Sequence, residues 1–153
     1  MTAEPHVLTV TDEWKKPWPS IDQDNEAFWD GLKDHKLLVW RCKDCGAVYW
    51  PKAYCQHHEN QPFAGNCEWV EASGRGRIFA FNIHHMAFHP GFREELPYHY
   101  ALVELDEGPL ISSQLVGDNL PSDIHSVGQQ VEIVYEDHPN EGFTLPKFRI
   151  LEG

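Results

Sequence analysis

The stretch that decides the fold is Arg41-Cys42-Lys43-Asp44-Cys45-Gly46-Ala47-Val48-Tyr49-Trp50-Pro51-Lys52-Ala53-Tyr54-Cys55-Gln56-His57-His58-Glu59. Two residues separate Cys42 from Cys45, and Cys55 and His58 repeat that spacing. Two such pairs supply the thiolate and imidazole ligands that tetrahedral Zn²⁺ prefers. Gly46 follows the first pair and permits the tight turn that points both sulfurs inward. The stretch therefore predicts a structural zinc ribbon with Cys42, Cys45, Cys55 and His58 as ligands.

The fourth ligand has two alternatives close by in the sequence. His57 directly precedes His58, and Cys67 follows a connection long enough to fold back. Whichever residue completes the set, a zinc ion held by four protein ligands has no open position for water. We therefore expect the metal to hold the fold and to take no part in catalysis.

Charge and composition exclude some classes of protein. The 153 residues contain 24 acidic and 12 basic side chains, a formal net charge of −12. Zinc ribbons that bind nucleic acid need a surplus of lysine and arginine to neutralise phosphates, so this balance disfavours that class. No apolar run approaches the roughly 20 residues that span a bilayer, and the N-terminus lacks the pattern of a secretory signal. We expect a soluble cytoplasmic protein whose cysteines are metal ligands or free thiols.

The pattern along the chain divides it into three segments. Residues 1–21 combine prolines and tryptophans without a period and predict an extended arm, which packs either on its own domain or on a partner subunit. Residues 22–66 predict a helix from Asp22 to about Lys36, capped by Asp22 or Asp24, followed by the zinc ribbon.

Residues 67–153 predict β-structure. Strands over residues 98–105 and 110–116 flank one turn, and strands over 127–135 and 143–150 flank another, which are hairpin signals. About five strands with little helix favour a small closed barrel of the OB type over a sandwich, which usually has about seven. The expected fold class is mainly β, with an N-terminal helix and zinc ribbon followed by a five-stranded OB-fold barrel.

Two further clusters are candidate sites. Arg75 and Arg77 alternate with glycines, which predicts either a turn that enters a strand or a local positive spot for a phosphate or carboxylate. His84, His85 and His89 share a loop with aromatic residues but have no matched carboxylate, which favours contact with a partner or an acyl chain over catalysis. The sequence has no nucleophile elbow, no metalloprotease motif and no dinucleotide fingerprint. The residues alone therefore predict no active site.

The order of the motifs resembles one known family. The motifs that carry the resemblance are Phe28-Trp29, Arg41-Cys42-x2-Cys45-Gly46, Tyr49-Trp50-Pro51, Glu68 to Gly76, His89-Pro90-Gly91-Phe92, Pro97-Tyr98 and Ala101 to Gly108. From about residue 22 to its end, the chain is similar to the rubredoxin-like zinc ribbon plus OB-fold family catalogued as domain of unknown function thirty-five. It departs from the family at His58, where a fourth cysteine is usual.

The resemblance implies a non-catalytic accessory subunit of a thiolase-like enzyme or a lipid-transfer-type aldolase. Such complexes form or cleave carbon–carbon bonds in acyl-CoA thioesters, including those of aromatic or steroid side chains, and the catalytic residues belong to the partner. Arg75 and Arg77 would then face the anionic CoA. The ribbon, the arm and the loop over residues 84–92 would dock the partner in a hetero-oligomer, with a dimer of heterodimers as one arrangement.

Two other hypotheses stay open beside the accessory subunit. The first is a stand-alone module that binds acyl-CoA and remains monomeric. The second is a zinc-ribbon OB protein that binds single-stranded nucleic acid by stacking bases on aromatic side chains. The net charge of −12 disfavours the second of these.

Overall fold

The computed structural model describes residues 4–58, 66–118, 120–121 and 126–151. Its helices and strands, in chain order, are β1 (His6–Thr9), α1 (Glu26–Lys33), β2 (Leu38–Cys42), β3 (Val48–Tyr49), β4 (Cys67–Glu71), β5 (Arg75–His84), a 3-10 helix (Pro90–Glu95), β6 (Tyr98–Leu105), β7 (Leu110–Leu115), β8 (Gln130–His138) and β9 (Phe143–Ile150). No helix within these ranges is long and apolar enough to cross a membrane.

Five strands close the barrel that the sequence predicts. β5, β6 and β7 pair antiparallel in chain order, β7 meets β9 through one parallel pair, and β8 joins β9 back to β5. Both predicted hairpins, β6–β7 and β8–β9, are confirmed. The fold is mainly β, with one N-terminal helix, a zinc ribbon region and a closed five-stranded barrel of the OB type.

The zinc ribbon is a separate antiparallel sheet in the order β3-β2-β4. β4 is the first strand in the part of the chain for which the sequence predicts β-structure. β4 pairs with β2 of the ribbon, so that Cys42 lies opposite Cys67 and Trp40 lies opposite Trp69. The barrel strands begin only after Ala72, and the division of the chain between residues 66 and 67 stays a prediction.

The helix is shorter than the sequence predicts, because the acidic residues before it form a turn. Asp22 Oδ1 accepts hydrogen bonds from the backbone N–H groups of Asp24 at 2.9 Å and Asn25 at 3.1 Å. This arrangement engages the Asp22 carboxylate outside the helix, and Asn25 takes the N-cap position without a side-chain cap. Asp24 makes no cap, but Asp22 caps the turn that leads into the helix, since its carbonyl also accepts from the Glu26 N–H at 2.9 Å.

One continuous core joins the helix and ribbon to the barrel. Leu32, Leu37 and Val39 from the first part of the chain are fully buried. They belong to the same apolar cluster as barrel residues such as Ile78 and Phe148. Because apolar burial is worth about 25 cal/mol per Å², this shared core holds the two parts together.

The N-terminal arm lies on the barrel of its own chain. β1 pairs in parallel with β8, which extends the barrel sheet by one edge strand. The Trp14 ring then contacts the rings of His138 and Phe143, with centroids 5.0 and 4.9 Å apart. Trp18 also contacts Phe143 but stays 62% exposed.

Beneath the arm, the outer face of β8–β9 carries three buried polar side chains. Glu136 accepts from Lys147 Nζ at 2.9 Å, and its other carboxylate oxygen lies 2.7 Å from His138 Nε2. Burial alone would raise the pKa of Glu136, but the charge of Lys147 and the hydrogen bonds from Lys147 and His138 lower it. Glu136 and Lys147 therefore form a buried ion pair under the arm, and His138 lies beside the same carboxylate.

Candidate functional site

Cys42 and Cys45 stand on a tight turn at the end of β2. The Cys42 N–H donates to the carbonyl of Ala47 at 2.8 Å, and the Gly46 N–H donates to the carbonyl of Cys42 at 2.9 Å. Gly46 has a φ of +77°, a conformation that glycine adopts without steric cost. The local sequence thus folds into the knuckle that the cysteine spacing predicts.

The structure brings the four predicted ligands together. One ligand atom from each of Cys42, Cys45, Cys55 and His58 lies within 4.8 Å of the others. The Sγ atoms of Cys45 and Cys55 are 3.5 Å apart. His58 Nε2 is buried and has no hydrogen-bond partner among the described residues. Since buried polar atoms normally have partners, three sulfurs beside a free imidazole nitrogen fit a zinc ion well.

Tyr49, which the spacing of the ligands does not predict as part of the site, supports it. The Tyr49 hydroxyl donates to Cys55 Sγ at 3.6 Å and accepts from the backbone N–H of Gln56 at 3.0 Å. It therefore fixes the second knuckle from outside the ligand set, as residues around a metal site commonly do. In the sequence, this role is indicated by the position of Tyr49 on the strand between the two knuckles.

Of the three alternatives for the fourth ligand, His58 is the one that lies with the three cysteines. His57 is exposed. Cys67 lies beside Cys42 across β2–β4 but outside the group of four. Burial raises the pKa of the Cys67 thiol, and the nearby Cys42 raises it further. The raised pKa, which is due mainly to burial, keeps the Cys67 side chain a neutral thiol beside the cluster.

Arg75 and Arg77 both lie exposed on the outer side of β5. Glu132 is the cross-strand neighbour of Arg75, but its carboxylate is bonded to Arg149. Glu104 is the neighbour of Arg77 on β6. Within the described ranges, neither guanidinium takes part in an ion pair within 4 Å. The two arginines are therefore available to an anionic ligand.

The histidines of the aromatic loop do not assemble into a site. His84 stacks on Tyr98 with ring centroids 4.6 Å apart. His89 caps the 3-10 helix, since its Nδ1 accepts from the Gly91 N–H at 3.0 Å. His85 is exposed. The only metal-ligating group found in the described part of the chain is the one at the two knuckles.

Two family models match the chain. The model described as the rubredoxin-like zinc ribbon domain of ChsH2 matches residues 29–57, and the model of the C-terminal OB-fold domain of ChsH2 matches residues 69–136. Together they cover the first knuckle, Cys55 of the second and most of the barrel, and the zinc ribbon match ends one residue before His58.

Relatives with similar sequences include a scaffold protein and a subunit of an enzyme. A DUF35 domain-containing scaffold protein of Methanocaldococcus jannaschii is 33% identical over 74% of this chain and 78% of its own length. A probable enoyl-CoA hydratase alpha subunit of Thermomonospora curvata is 34% identical over 88% of this chain. The chain spans only 40% of the length of that hydratase subunit.

A solved structure has the same architecture. The structure described as the Ltp2-ChsH2(DUF35) aldolase contains a chain that is 32% identical to this one, with a TM-score of 0.70. The match covers 87% of this chain and 98% of that one. By its two matched domains and its similarity to a scaffold protein over most of both lengths, this chain belongs to the DUF35 family, in which a ChsH2-type zinc ribbon precedes an OB-fold domain.

Proposed function

We propose that this chain is a non-catalytic accessory subunit of an acyl-CoA carbon–carbon bond enzyme, a thiolase-like protein or a lipid-transfer-type aldolase. The observation that carries the proposal is the match to the chain of an aldolase complex over 98% of that chain's length, at 32% identity. Similarity to a protein named as a scaffold supports a role in holding another subunit. The catalytic residues belong to that subunit, and a cytoplasmic location stays a prediction.

The proposed metal ligands are Cys42, Cys45, Cys55 and His58. Their grouping within 4.8 Å and the unpartnered Nε2 of His58 support this set, and the matched zinc ribbon domain supports zinc as the metal. With all four positions taken by protein, zinc supplies folding energy and rigidity and no chemistry at a substrate. The ribbon, which includes β4, then keeps a fixed orientation to the barrel through their shared core.

The proposed contacts to the CoA thioester are Arg75 and Arg77. Both guanidinium groups are exposed on one strand and are separated by a single residue, Gly76. A side chain at Gly76 would collide with the backbone carbonyl of Glu104, so the glycine lets β5 and β6 approach closely between the two arginines. Arginine binds phosphate through charge-assisted hydrogen bonds, which are roughly twice as strong as neutral ones.

Affinity capture of the tagged chain from its native host tests the proposal. We expect a thiolase-like or aldolase-like protein to remain bound at near equal stoichiometry and to be identified by mass spectrometry. Acyl-CoA cleavage should be found in the complex and not in the isolated chain. An isolated monomer that binds CoA esters with full affinity would instead support the stand-alone acyl-CoA module.

A further inference from the structure

The outer surface of three barrel strands carries large exposed apolar side chains among uncharged polar ones. We call it the β5–β7 face, and its central residues are Phe79, Asn82, Tyr100, Leu102, Ser112 and Gln114. On β6 the inward residues Ala101 and Val103 are 1% and 0% exposed, while the outward Tyr100 and Leu102 are 41% and 38% exposed. An antiparallel strand with one solvated face usually alternates apolar and polar residues. At Tyr100 and Leu102 the outer side of β6 is apolar as well, up to the charged Glu104, which indicates that this part of the strand is covered.

A strand irregularity adds an aromatic ring to this face. The register between β5 and β6 shifts between Ile78 and Ala80, which leaves Phe79 without a partner on β6. Phe79 is 53% exposed, although its neighbour Ile78 is 1% exposed. Bulges of this kind re-aim a side chain, and here the side chain is turned out to the surface.

The face carries no charged side chain, although the chain has 24 acidic residues. Charges begin at its end, where Arg77 and Glu104 lie opposite each other in register. Depletion of charge together with enrichment in tyrosine, phenylalanine and methionine is typical of the centre of a protein–protein interface. The apolar surface continues into the adjoining loop, where Met86 and Phe88 are 66% and 83% exposed.

The N-terminal arm covers part of the outer surface of the barrel on β8–β9. There the arm places Trp14 over His138 and Phe143 on the outer side of β8–β9. No described segment of the chain packs in the same way on the β5–β7 face, where the large apolar side chains remain exposed. Apolar patches that extend over several residues on a soluble protein mark interaction sites.

We propose that the β5–β7 face is the surface that the catalytic subunit covers, an inference that rests on the proposed function. The net charge of −12 argues against a second copy of this chain, because two such acidic molecules repel each other. The same net charge favours association with a protein that is basic overall. The occupant is therefore the catalytic subunit, which meets this face with an apolar, charge-poor patch.

The test measures binding between this chain and the thiolase-like or aldolase-like subunit recovered with it. The variants are Leu102→Glu and Phe79→Ser, and the control is Leu8→Ser on β1, whose exposure of 39% matches the 38% of Leu102. Biolayer interferometry should show at least tenfold weaker binding for both face variants and an unchanged dissociation constant for the control. Unchanged melting temperatures and zinc content would show that the variants are folded.

Three other results would overturn the inference. If folded Leu102→Glu and Phe79→Ser bind the recovered subunit as tightly as the unaltered chain, the face is not the interface, although the proposed function stands. If the unaltered chain sediments as a dimer and Leu102→Glu as a monomer, the occupant is a second copy. If the unaltered chain recovers no such subunit, the proposed function and this inference fail together.

Discussion

His35, in the turn after α1, bonds Asp137 on β8 across 102 positions of the chain, with Nε2 lying 2.9 Å from Oδ2. Asp137 also accepts from the Thr144 hydroxyl at 2.6 Å, and the His35 ring lies 5.4 Å from the ring of Tyr135. This polar link sits at the edge of the core that the ribbon and the barrel share. It adds a polar contact between the turn after α1 and β8 to the core that the two parts share.

Breaking this link should lower stability modestly. His35 has a φ of +58°, so His35→Asn is the suitable change, because asparagine tolerates that conformation but is too short to reach Asp137. We expect the free energy of unfolding to fall by about 1 kcal/mol, as for a partly exposed hydrogen-bonded pair. Urea titration measures it, with Lys36→Gln at the exposed neighbouring position as the control. A double-mutant cycle with Asp137→Asn that gives no coupling energy would contradict the link.

Removal of zinc should unfold the ribbon. Metal binding in small zinc modules is worth roughly 10 kcal/mol or more, and that energy is folding energy. The rings of Trp40 and Trp69 lie 5.1 Å apart across β2–β4, so their near-ultraviolet circular dichroism reports on the ribbon. We expect this signal to disappear on addition of a strong chelator and to return with Zn²⁺. A chelated chain that keeps both the signal and its melting temperature would exclude a structural role for the metal.

The identity of the fourth ligand can be tested with a matched pair of variants. His58→Ala removes the unpartnered imidazole and should reduce the zinc content, measured by elemental analysis, well below one ion per chain. Cys67→Ser changes a residue beside Cys42 but outside the ligand group, and should leave one ion per chain. The reverse result would assign Cys67 as the ligand.

The buried cluster of Glu136, Lys147 and His138 should make stability depend on pH. Burial opposes the shift, but the pKa of Glu136 is lowered. The carboxylate's contribution to stability is therefore complete above the ordinary carboxyl pKa of 4.5. That contribution is lost as the pH falls below 4.5 and through the lowered pKa of the folded state. Glu136→Gln should cost about 3 kcal/mol at neutral pH, since Lys147 stays buried without its carboxylate, and should flatten the acid side of the stability profile.

The control for this prediction is Glu132→Gln on the same strand. Glu132 bonds Arg149, whose side chain is 39% exposed, so its replacement leaves no buried charge behind. Thermal unfolding at several pH values measures both variants. If Glu136→Gln and Glu132→Gln change the profile equally, the buried cluster does not control the acid side.

The sequence alone predicts the structural features that depend on residues close together in the chain. The spacing of Cys42, Cys45, Cys55 and His58 predicts the metal cluster, because each pair needs only one tight turn. The two barrel hairpins follow for the same reason, since glycine-containing turns separate alternating strands.

Pairings between distant segments could not be predicted in this way. β1 is only four residues long and mostly exposed, so nothing local indicates that it pairs in parallel with β8. β4 pairs with β2 across a long connection, and its own pattern does not choose between ribbon and barrel. The outward Tyr100 and Leu102 did leave a signal, since the whole run from Tyr98 to Val103 is free of charge. The uncharged run indicates a covered outer surface only when the structure shows that Ala101 and Val103 point inward and Tyr100 and Leu102 point outward.

Replacement of the two arginines on β5 should weaken CoA-ester binding by the complex. Each guanidinium–phosphate contact is charge-assisted, so Arg75→Ala and Arg77→Ala should each cost about tenfold in affinity, measured by calorimetry. Arg41→Ala, at an exposed arginine on the ribbon strand β2, is the control and should change nothing. If both β5 variants keep the affinity of the unaltered complex, the CoA assignment is wrong.

The central claim is that this chain works as one subunit of a larger enzyme, and native mass spectrometry of the tagged chain isolated from its host tests it most directly. We expect a hetero-complex with equal numbers of this chain and a thiolase-like or aldolase-like subunit, with one zinc ion retained per copy of this chain. Recovery of the chain only as a zinc-bound monomer of 17.7 kDa plus the mass of the tag, from cells that contain such an enzyme, would contradict the claim.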